Sequence, residues 1–146
     1  MQVSSDEASW IGSLMPLAGL LGSLAGGPML EELGRRTTIG LMSLPFIVAG
    51  LLVTFAHDIF MIYIGRSLSG FCIGVVSLAM PVYLAETIHP EIRGVLGLLP
   101  TTFGNGGVMM CYILGFWLEW SNLALVSAIL PLPFLILMVT IPETPR

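Results

Sequence analysis

Two long stretches without a single charge, Ala8–Leu30 and Thr37–Ala56, are parted only by Glu31-Glu32-Leu33-Gly34-Arg35-Arg36. Each has about the 20 apolar residues that a helix needs to cross a bilayer. Backbone amides and carbonyls left unpaired in lipid are too costly to tolerate, so such stretches fold as helices. The segment Gly27–Arg36 is therefore expected to be the water-exposed turn of a transmembrane hairpin.

Composition extends this reading to the whole chain. Of the 146 residues, 55% are hydrophobic and 10% charged, against roughly 25% charged in a soluble domain. The apolar runs mostly lack the polar stripe at period 3.6 that a soluble helix would carry. Nine acids and five cations, all arginine, leave a net charge of -4, which excludes the basic footprint of a nucleic-acid binder. Cys72 and Cys111 lie within apolar runs, with neither metal-ligand spacing nor a disulfide framework, and read as membrane-core packing. His57 and His89 fall between the runs, and no His-Glu-x-x-His occurs. Intramembrane serine or metal chemistry would need such groups inside the spans, so no enzyme, metal or cofactor is expected. Residues Gln2–Glu7 are acidic rather than basic, so no cleavable signal peptide is expected to open the chain.

Five spans follow, at about Trp10–Leu30, Thr37–Ala56, Ile59–Ala85, Val95–Leu118 and Asn122–Ile141. The fold class is an all-α membrane protein with five transmembrane helices. Arg35 and Arg36 lie in the first connection, Arg93 in the third and Arg146 after the last span, whereas the second (His57, Asp58) and fourth (Glu119, Trp120, Ser121) have no cation. That alternation is the positive-inside pattern. It predicts cytoplasmic first and third connections and C-terminus, with the N-terminus outside. Trp10, Trp117 and Trp120 then fall near the outer interface, where an aromatic belt belongs. Five spans with their ends on opposite sides suggest a further span upstream.

Several residues inside the spans carry specific expectations. Gly22-x-x-x-Gly26 and Gly70-x-x-x-Gly74 have the spacing that lets helix backbones approach closely. The run Gly104-Asn105-Gly106-Gly107 has Met109 where a dinucleotide loop needs its third glycine, so it reads as packing or pathway. Pro16, Pro45, Pro81, Pro100, Pro131 and Pro133 would each free a backbone carbonyl and bend a helix. Arg66 is the one charge within a span, about seven residues after Ile59. An intramembrane arginine either snorkels and locks the bundle or serves a gate or pathway. Thr101, Asn105 and Tyr112 fall in a narrow arc at about 100° per residue. Their hydroxyls and carboxamide suit either an uncharged polyol or hydrogen bonds between helices.

These residues also carry a resemblance. Gly27-x-x-x-Glu31-Glu32-x-Gly34-Arg35-Arg36 resembles the first cytoplasmic-loop signature of the major facilitator superfamily. Gly65-Arg66-x-Leu68-x-Gly70, then Pro81-x-Tyr83-x-x-Glu86 and Arg93-Gly94, resemble the fourth helix and following loop of its sugar porters. The closing Pro142-Glu143-Thr144-Pro145-Arg146 resembles the sugar-porter sequence after helix six. Ser9-Trp10-Ile11-Gly12-Ser13-Leu14-Met15-Pro16 and Leu99-Pro100-Thr101-Thr102-Phe103-Gly104-Asn105 look most like insect facilitated trehalose transporters and their hexose-carrying relatives. Where the loop signature usually reads Asp-Arg this chain has Glu31-Glu32, and Thr101 stands close to a glutamine common in hexose porters.

The resemblance implies that the five spans are helices two to six of a twelve-helix carrier, part of the N-terminal six-helix half. The first helix and the C-terminal half would be missing partners, trehalose or a hexose the substrate, lipid the surround and the plasma membrane the location. It implies a cytoplasmic charge network of Glu31, Arg35, Arg36, Glu86, Arg93 and Glu143, closing onto partners in the other half. With no acid mid-span, facilitated diffusion is favoured over proton coupling. The rival expectation is a small accessory membrane protein sufficient at this length.

Overall fold

The computed structural model describes residues 3–140 and is helical throughout its ordered elements, so Glu143 and the Pro142–Arg146 motif lie outside the described residues. Helix α1 spans Ser5–Leu33, α2 Arg35–Thr54, α3 Ile59–Thr87, α4 Arg93–Gly97, α5 Leu99–Trp117, α6 Trp120–Ile129 and α7 Pro131–Thr140. Among the described residues α1, α2 and α3 are long and apolar enough to cross a membrane.

Helix α1 starts before its apolar run because a capping box closes its first turn. Glu7 N donates to Ser4 Oγ at 3.3 Å, and Ser4 N donates to Glu7 Oε2 at 2.9 Å. The two bonds satisfy amide groups that a helix start otherwise leaves unpaired. At its other end α1 continues through Glu31–Leu33, so the charged turn narrows to Gly34, whose φ of 85° and ψ of 157° occupy a region essentially restricted to glycine. Thr38, fully buried one turn into α2, holds this turn shut. Its Oγ1 lies 2.8 Å from Gly34 O and 3.1 Å from Met29 O, and its amide donates to Gly34 O.

The bundle is built around α3. Gly70 and Gly74 of α3 face α1 at backbone contact. A Cβ on Gly74 would stand 2.1 Å from Gly19 O, and one on Gly70 would stand 2.3 Å from Met15 O. From the other side, a Cβ on Gly22 would stand 2.1 Å from Phe71 O. Both small-residue spacings thus belong to one interface, where Cα–H groups meet carbonyl oxygens across the helices. On its opposite flank α3 meets α2, where a Cβ on Gly65 would lie 2.9 Å from Ala49 O. Helix α2 in turn meets α6, with Gly50 against Ala128 and Ser121 Oγ donating to Thr54 O at 3.1 Å.

Side-chain packing fills the remaining space in two clusters. Leu30, Ile39, Ala79 and Tyr83 pack near the α1–α2 turn. Met42, Cys72 and Val75 form the next layer, flanked by Met29, Phe46, Phe71 and Val76. Leu17, Leu20, Leu21, Leu24, Leu44 and Val48 remain on the outer surface, an apolar exterior that suits lipid rather than water. Pro16, Pro28, Pro45 and Pro81 sit inside α1, α2 and α3 without ending them. Between α6 and α7, Leu130 keeps helical angles (φ −57°, ψ −34°), so the chain continues in the same sense into Pro131. Helix α5 has no buried residue, and its main neighbours are α4 and α6.

Candidate functional site

The charged end of the bundle brings two remote elements together. Arg35, the first residue of α2, donates from Nη2 to Glu86 Oε1 in the last turn of α3 at 2.9 Å. Their side chains are 29% and 40% exposed, and Arg35 Nε is buried with no hydrogen-bond partner among the described residues. Glu31 and Glu32 lie on the surface of the last turn of α1, and Arg36 is half-buried in the first turn of α2.

Every one of these charges opposes its own helix. Acids at a helix C-terminus and arginines at an N-terminus run against the macrodipole, at about 0.3–1 kcal/mol each. The helix dipole therefore does not favour them, and for Arg35 and Glu86 the attraction between two elements offsets its cost. Arg93 stays apart from the Arg35–Glu86 pair, with Nη2 3.5 Å from Ile88 O.

Arg66 lies on the surface of α3 beside α1, and its Nη1 is 3.8 Å from the Met15 sulfur rather than against a carboxylate. An arginine in contact with a thioether keeps its charge uncompensated, which in a span is the costly arrangement.

A cavity of about 800 Å³ opens between α2, α3, the start of α5 and Pro131. Its walls are chiefly apolar, including Met42, Phe46, Val76 and Phe103, with Ser43, Ser77 and Thr101 contributing hydroxyls. Of the residues expected to line a polyol site, only Thr101 stands at this wall. Asn105 and Tyr112 are on the surface of α5, Tyr112 at 80% exposure, and neither belongs to the cavity lining. The structure thus keeps the three on one helix but does not gather them into one pocket. Ser43 and Ser77 escaped the sequence reading because lone serines in apolar runs form no pattern. Cys72 is buried in the core, as expected of a packing residue, whereas Cys111 lies on the bare surface of α5.

A glycine hairpin turn, a backbone-contact helix pair and an ion pair between turn and third helix thus tie together a bundle whose three long helices are apolar enough to cross a membrane. Residues 2–146 match the family model described as Sugar (and other) transporter, and the chain belongs to that family. It is 57% identical over 145 residues to the facilitated trehalose transporter Tret1 of Polypedilum vanderplanki, covering 99% of this chain and 29% of that protein. To trehalose transporter 1 of Drosophila melanogaster it is 56% identical over 145 residues, covering 99% of this chain and 17% of that one. The chain thus spans less than a third of the length of either relative. Among solved structures, the xylose transporter XylE from E. coli in a partially occluded inward-open conformation aligns with a TM-score of 0.87 at 21% identity, over 99% of this chain and 42% of that one. The fold is accordingly that of part of this xylose transporter.

Proposed function

We propose that this chain forms part of the N-terminal half of a facilitated carrier for trehalose or a hexose, multi-pass in the plasma membrane and working by alternating access. The observation that carries the proposal is the 57% identity to a facilitated trehalose transporter, sustained over 99% of the chain. In this reading the five spans are the second to sixth helices of the carrier, with the N-terminus of α1 outside. A preceding helix and a C-terminal half cover α5 and the cavity. The lack of any buried residue in α5 supports this, because a helix in a complete bundle buries at least one face.

Alternating access rocks one half of a carrier against the other around a site at the midplane. Thr101, Asn105 and Tyr112 supply hydroxyl and carboxamide groups to one wall of that site, with Thr101 nearest the cavity. Such groups pair with sugar hydroxyls without the cost of a buried charge. Glu31, Arg35, Arg36, Glu86, Arg93 and Glu143 form the cytoplasmic charge network, and Arg66 serves the pathway within the span. Exposed pairs of about 0–1 kcal/mol each suit a closure that must open in every cycle, since it biases two states only a few kcal/mol apart. The fold performs this by binding and gating, with no bond of the sugar made or broken.

Uptake of labelled trehalose and glucose by the whole carrier tests the site. Thr101→Ala and Asn105→Ala each remove hydrogen bonds worth about 0.5–1.5 kcal/mol, so the KM for the transported sugar should rise roughly two- to tenfold. Unchanged kinetics in both variants would remove these residues from the site.

A further inference from the structure

We draw no further inference here: the strongest candidate, the largely apolar cavity of about 800 Å³ between α2, α3, the start of α5 and Pro131, carries nothing because nothing in the structure shows what covers it.

Discussion

Replacing Gly22 by alanine tests the seam between α1 and α3 most sharply. The added Cβ would stand 2.1 Å from Phe71 O and 2.9 Å from Phe71 C. Ordinary carbon–oxygen contacts across helices are about 3.3–3.6 Å, so the two backbones would have to part by more than about 1 Å. Neither neighbour is a side chain that can rotate away. Overpacking of this kind costs about 1–3 kcal/mol, and a backbone obstacle places the variant at the upper end. Alanine recovers about 1 kcal/mol of helix propensity relative to glycine. The net loss is about 2 kcal/mol, close to a 30-fold fall in the folding equilibrium. The comparison is Gly27→Ala on the same helix, where an added Cβ meets nothing within 4 Å and only the propensity gain remains. Equilibrium unfolding of the chain in detergent micelles, titrated with dodecyl sulfate and followed by circular dichroism, measures both variants against the parent. Gly22→Ala should unfold earlier and Gly27→Ala at the same point or later. If Gly22→Ala is as stable as Gly27→Ala, α1 and α3 do not meet at backbone contact and the seam is wrong.

Two further perturbations address the charged turn. Gly34→Ala forces a side chain into φ 85°, ψ 157°, a strain of about 1–3 kcal/mol, and should shift the same titration by that amount while leaving helix content unchanged. A double-mutant cycle on Arg35→Ala and Glu86→Gln should return a coupling below about 1 kcal/mol, weakened by salt, because both side chains are partly exposed. A salt-insensitive coupling of several kcal/mol would mean that the pair is desolvated.

The architecture was legible wherever charge and apolar length carry the information. The hairpin around Gly34 and the run from Ile59 follow from the positions of Glu31, Glu32, Arg35, Arg36 and Asp58 alone. Helix ends were less legible, because hydropathy marks the membrane-embedded part of a helix and not its polar start. Ser4 and Glu7 thus extend α1 ahead of Trp10. The spacing of Gly22, Gly26, Gly70 and Gly74 announced close packing, but not that the two motifs serve one interface between α1 and α3. That requires three-dimensional topology, since α2 intervenes in sequence. The same limit applies to the candidate site. Helical arithmetic puts Thr101, Asn105 and Tyr112 on one face, yet what the face looks upon depends on neighbours, and only Thr101 meets the cavity. Arg35 and Glu86 are 51 residues apart; the family signatures put both in a network closing onto partners in the other half, and no local pattern indicated that they pair with each other.

In the function proposed above, this chain is one wall of a sugar pathway whose other walls lie in further helices. Uptake of labelled trehalose and glucose in oocytes, comparing this chain alone with the chain joined to its flanking genomic sequence, tests it most directly. Saturable uptake is expected for the extended protein, and none above background for the chain alone at equal surface expression. Equal uptake by the short chain would contradict it, since these helices would then complete a pathway without a second half.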